Sequence, residues 1–232
     1  MNILTNNTKI LIKNIEYKKK IFKISKNSYF KELQDNFLKY YKNYDNKKIN
    51  IQIQKINPLE KENSYFIGKN IKKKLDKLYN YYLIKYENID LYLVSNKKLD
   101  SVKKSALNKL KIIISLKNLF NRKDTYQKII IYDINEKKKL PKKNNHTIGP
   151  ENCNSGFCNV LFSNKENGSI VLYRNEELVK VLIHESIHAN FIDYNIIINQ
   201  YKSNMNNKIC TKYNILLNEA FTETLACLIN MI

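Results

Sequence analysis

A mixed α/β fold, with helices and strands sharing one core, is predicted for this 232-residue chain. Segments of helical period alternate with short runs of strand character along most of its length. The hydrophobic content of 43% is enough for a sizeable core. No Pro/Gly/Ser-rich linker divides the chain, so residues 1–232 are expected to form a single domain. Within it, residues 1–150 make a lysine-rich α/β part and residues 151–232 carry the chemistry.

In chain order, Tyr29 to Tyr44 has a helical pattern and Ile49 to Ile56 alternates as a strand. Ile71 to Tyr86 reads as an amphipathic helix. Ile89 to Ser95 is a second strand, Leu99 to Phe120 a long helix and Tyr126 to Ile134 a third strand. The lysine-rich run Glu136 to Lys143, with Pro141, opens a loop through Gly149 and Pro150 to Gly156. Phe157 to Phe162 and Ser169 to Tyr173 are short strands around a turn at Asn164 to Gly168. Leu178 to Phe191 contains no Gly or Pro and reads as a buried helix, with Asn175 suited to cap it and Glu176 and Glu177 in the first turn. Tyr213 to Asn230 is a second largely buried helix.

Composition narrows the function classes. No apolar run reaches the roughly 18 residues of a membrane span, and the N-terminus lacks the apolar stretch of a signal peptide, so a soluble intracellular protein is expected. Cys153, Cys158, Cys210 and Cys227 show no disulfide-dense pattern and read as reduced thiols. The formal charge of +20 raises nucleic acid as a partner. That charge is uneven: residues 151–232 hold 6 basic and 8 acidic side chains, leaving 35 basic and 13 acidic in residues 1–150. Arginine, the residue suited to bidentate phosphate contacts, occurs only at Arg122 and Arg174. A chain so rich in Lys, Asn, Ile and Tyr is explained better by A/T-rich codons than by selection for polyanions.

The most informative residues are His184-Glu185-Ser186-Ile187-His188, which include two of the three histidines in the chain. Residues four apart on an α-helix lie about 40° apart around the axis and roughly 6 Å along it, so both imidazoles can reach one metal ion. Glu185 then stands beside the ion, placed to take a proton from water. A catalytic zinc takes three protein ligands, so another is expected elsewhere. Glu219 and Glu223, one turn apart, are the only charged residues of the second buried helix. One of them can ligate while the other holds a ligand histidine through its free ring nitrogen.

This combination resembles the gluzincin metallopeptidases, in which a His-Glu-x-x-His helix is followed by a helix supplying a glutamate ligand. Asn218-Glu219-Ala220, with an acid at Glu223, is similar to the thermolysin-type pattern. The resemblance covers about the last third of the chain, which also resembles, more distantly, uncharacterised zincin-like proteins of large DNA viruses. A viral origin would place it in the host cytoplasm or the virion. The family implies one Zn²⁺ held by His184, His188 and Glu219, with Glu223 behind a ligand and Glu185 as the general base of peptide hydrolysis. It also implies a zincin-like α+β fold, whose mixed twisted sheet has an edge strand beside the motif helix. Gly156, Phe157, Cys158, Asn159 and Val160 are the segment expected to pair there with an extended peptide or protein substrate.

The metzincin pattern is not met, because no histidine follows His188, and Asp193 follows too directly on the same helix to serve easily as a ligand. Tyr194, Tyr213 and His146 are candidates to stabilise the oxyanion. The alternatives are a catalytically inactive zincin-fold binding protein and a lysine-rich nucleic-acid-binding protein.

Overall fold

The computed structural model describes residues 28–44, 48–54, 66–139, 141, 149–159, 169–193 and 217–232. The chain forms two compact units, residues 1–36 and 37–232. Of the first, residues 28–36 are described and form the opening turns of helix α1 (Ser28–Lys42). The sheet and the motif residues belong to the second.

Among the described residues, six strands form one mixed sheet: β1 (Asn50–Gln54), β2 (Asn80–Tyr86), β3 (Ile89–Ser95), β4 (Gln127–Tyr132), β5 (Gly156–Asn159) and β6 (Ser169–Leu172), in the spatial order β1-β2-β3-β4-β6-β5. The first three pair antiparallel, β3, β4 and β6 run parallel, and β5 returns antiparallel to β6 at one edge. The inner parts of β4 and β6, Ile129–Tyr132 and Ile170–Leu172, are buried on both faces and are accordingly continuous apolar runs. In β4, Ile129 and Ile131 face one core while Ile130 and Tyr132 face the other.

The first core is closed by α3 (Leu99–Leu119), through Val102, Ala106, Leu110 and Ile113, and by α5 (Leu178–Ala189), through Leu178, Leu182 and Ala189. The second is covered by the short α2 (Lys69–Leu75), which inserts Ile71 and Leu75 beside Val94, Tyr132, Phe157 and Tyr173. A one-turn helix α4 (Pro150–Cys153) leads into β5, and α6 (Leu217–Asn230) packs on α5. The expected α+β class, with its mixed sheet, edge strand and C-terminal helix beside the motif helix, is observed. Among the described residues, no helix is long and apolar enough to cross a membrane.

Three expectations need correction. Ile71 to Tyr86 is not one helix: α2 ends at Leu75, and Asn80–Tyr86 is strand β2, paired on both sides. The apolar spacing is real, since Ile71, Leu75, Leu78 and Tyr82 are all buried, but Tyr-Tyr-Leu-Ile belongs between two strands and tertiary pairing overrides the helical period. The loop to Gly156 contains helix α4, begun at Pro150, where a missing N–H costs nothing. Asn175 does not cap α5. The helix starts at Leu178 behind Glu177, which is left-handed (φ 54°), while Asn175 Nδ2 donates to Asp133 Oδ1 at 3.0 Å. Of the expected elements, Lys55 and Ile56, residues 140 and 142–148 of the loop, residues 160–162, the turn at Asn164 to Gly168, and Tyr213 to Leu216 lie outside the described residues.

Candidate metal centre

Helix α5 is amphipathic in an unusual sense: Leu182, Ile183, Ser186 and Ile187 are buried, while His184, Glu185 and His188 occupy the part-exposed remainder. Those three line a cleft of about 360 Å³, whose other walls include Gly156 and Cys158 of β5, Glu219 of α6, and Asp193. The cleft lies beside the sheet edge because α5 packs directly on β5 and β6. Gly156 permits that approach. A Cβ there would stand 2.5 Å from Leu172 Cδ2, 2.8 Å from the Val171 carbonyl oxygen and 3.2 Å from Val181 Cγ1.

The two imidazoles meet through like atoms, with His184 Nε2 and His188 Nε2 3.1 Å apart. Their other nitrogens face carboxylates: His184 Nδ1 is 3.1 Å from Glu223 Oε2, and His188 Nδ1 is 2.9 Å from Asp193 Oδ2. A carboxylate accepts, so each Nδ1 is the protonated, donating nitrogen and each Nε2 turns a lone pair toward the other. Two facing lone pairs require a proton or a metal ion between them. Glu219 decides which fits better, since its Oε2 is 3.5 Å from His184 Nε2 and its Oε1 is 3.5 Å from His188 Nε2. A proton bridges two atoms, whereas here three donors converge, all within 4.8 Å of one another. Donors about 2.0–2.2 Å from a tetrahedral zinc stand roughly 3.3–3.6 Å apart, near the 3.1 Å between the two Nε2 atoms and the 3.5 Å from each Nε2 to one Glu219 oxygen. His184, His188 and Glu219 therefore fit such an ion, and the half-exposed Glu219 leaves the solvent side for a further ligand.

Electrostatics follow from burial and pairing. Burial pushes the Glu185 carboxyl up to about 7, the charge of Glu219 adding to the effect and His188 opposing it. Burial and the neighbouring His188 lower His184. Burial would also lower His188, but the hydrogen bond and charge of Asp193 outweigh it and raise this histidine. Burial favours a neutral Asp193, yet the His188 contact holds it below the usual carboxylate range. Cys158 is pushed up by burial and by the charge of Glu185.

The structure thus gathers His184, Glu185, His188, Glu219 and the β5 residues Gly156, Phe157 and Cys158 around one cleft, with Glu223 behind His184 and Asn159 at the end of β5 not among the residues lining it. Tyr194, Tyr213, His146 and Val160 lie outside the described residues. Asp193, set aside in sequence as an awkward ligand, is found behind His188 as the counterpart of Glu223 behind His184. The only sequence signal for that role was an acid shortly after the motif. Comparison with family models, curated proteins and solved structures finds no match to this chain.

Proposed function

We propose that the chain is a zinc-dependent metallopeptidase, in which His184, His188 and Glu219 would hold the ion and Glu185 is the general base. The observation that carries this reading is the clustering of His184 Nε2, His188 Nε2 and the Glu219 carboxylate, each imidazole 3.5 Å from one of its oxygens, with Glu185 in the same cleft. When bound, zinc supplies Lewis acidity toward a scissile carbonyl and a nucleophilic water. Glu185 takes the proton of the attacking water and delivers it to the departing amine. A carboxyl pushed up to about 7 suits both halves of that transfer near neutral pH. Glu223 and Asp193 orient the two imidazoles, keeping each Nε2 free as a ligand atom.

Strand β5 supports the peptide part of the reading. It borders the cleft through Gly156 and Cys158 and has a strand neighbour on only one side among the described residues. An extended peptide added at its open edge would be gripped through main-chain hydrogen bonds, with little demand on sequence. A purely structural zinc site would have no use for a carboxyl standing beside the ligands.

Glu185→Gln tests the assignment. The variant is expected to fold, to bind zinc as the wild type does, and to lose about 10²–10⁴-fold in cleavage of quenched fluorescent peptides. Equal cleavage by the two proteins would remove Glu185 as the base.

A further inference from the structure

The Glu223 carboxylate is shared between two side chains of the motif helix. Its Oε2 is the partner of His184 Nδ1 at 3.1 Å, and its Oε1 accepts from Lys180 Nζ at 2.7 Å. Lys180 precedes His184 by one turn of α5, so ammonium and imidazole leave neighbouring points of one helix and clasp one carboxylate of α6 between them. Behind Lys180 stands Glu177, whose Oε2 is 3.9 Å from Lys180 Nζ and 2.9 Å from Lys138 Nζ. Among the described residues Glu223 also has a weak contact, Cys227 Sγ at 3.8 Å from Oε1.

Glu219 and Glu223 are the same side chain one turn apart, both about half exposed, and both within reach of His184. What separates their roles is their second partner. Glu219 reaches His188 Nε2, whereas Glu223 reaches Lys180. A carboxylate already neutralised by an ammonium is a poorer competitor for a cation, and one oxygen fixed on Nζ leaves the other aimed at Nδ1.

We propose that Lys180 is a positioning residue of the metal centre: it anchors Glu223 on His184 Nδ1 and keeps that carboxylate from displacing Glu219 at the ion. The inference rests on the reading of His184, His188 and Glu219 as zinc ligands. Its test reads metal binding and spectrum, independently of catalysis.

Zinc affinity by chelator competition, and the visible absorption of the cobalt-substituted protein, are measured for wild type, Lys180→Met, Lys180→Arg, Glu223→Ala and the double variant Lys180→Met/Glu223→Ala. Lys180→Met is expected to weaken zinc about tenfold and to shift the cobalt bands, as loss of a carboxylate–histidine contact would. Lys180→Arg, which keeps the charge and the donors, is expected to restore most of the affinity. In the Glu223→Ala background, Lys180→Met should change affinity by less than about twofold, since the lysine acts through that carboxylate. An equal effect in both backgrounds would make Lys180 a mere distant charge and overturn the proposal. So would a lowered melting temperature with unmoved cobalt bands, the mark of a simple clamp between α5 and α6. A wild type that binds no zinc would overturn the metal-site reading and the positioning role together, whereas tight zinc indifferent to Lys180→Met would overturn the positioning role alone.

Discussion

Each histidine of the motif is held through one ring nitrogen and offered through the other, and the residues that do the holding differ in how they can be found. His184, Glu185 and His188 are legible in sequence because the helix period alone fixes their relation. Glu219 and Glu223 are legible as a pair because both are acids in an otherwise apolar helix, though not which ligates. Asp193 is not legible in its actual role. It reaches His188 Nδ1 only because the chain turns back after α5 at Phe191, a left-handed residue (φ 56°) that no periodicity encodes. Gly156 is equally mute, since its role depends on how closely α5 and β6 approach it. Gly156→Ala is expected to destabilise the protein by about 1–3 kcal/mol, because the Val171 carbonyl in its way is backbone and β5 must shift. An unchanged thermal transition would contradict that view of the edge strand.

Among elements, long segments whose pattern and burial agree are the readable ones. Strand β3 occupies the expected residues, Ile89–Ser95, and α3 ends at Leu119, one residue short of the expected Phe120. The segment Ile71 to Tyr86 misleads because the same apolar spacing serves a helix in its first half and a strand in its second. The start of α5 also depends on tertiary contacts. Asp133, just beyond β4, accepts from Ser95 Oγ at 3.0 Å and Asn175 Nδ2 at 3.0 Å, and pairs with Lys97 Nζ at 2.9 Å, tying the strand ends to the approach to the motif helix. Burial opposes the charged form, but those three contacts win and hold Asp133 below the usual carboxylate range. A depressed folded-state value means that the stabilisation is fully present above the ordinary value near 3.9 and is lost as pH falls through the depressed one. Asp133→Asn is therefore expected to cost about 1–3 kcal/mol at pH 7, and its denaturation curve should converge on that of the wild type toward pH 2. A deficit that persisted in acid would assign the loss to packing.

At the scale of the whole molecule, fold class was the most legible property, because two-sided apolar strands and one-sided helices leave few ways to bury both. The charge of +20 was the least informative, although it is the largest compositional signal. Several of its lysines are paired locally, among them Lys48 with Glu87, Lys74 with Glu136 and Lys138 with Glu177, and the charged residues lining the cleft include the acids Glu185, Asp193 and Glu219. The molecule thus places negative charge where a cation would sit, and joins α6 to α5 through that site. A ligand that binds only the folded state stabilises it by mass action, so zinc should raise the melting temperature. Zinc titration of the metal-stripped protein, followed by calorimetry for wild type, Glu219→Ala and Glu223→Ala, puts the metal centre to the proof. A single tight equivalent is expected in the wild type, lost in Glu219→Ala and weakened but retained in Glu223→Ala; no binding in the wild type, or full affinity in Glu219→Ala, would contradict the assignment.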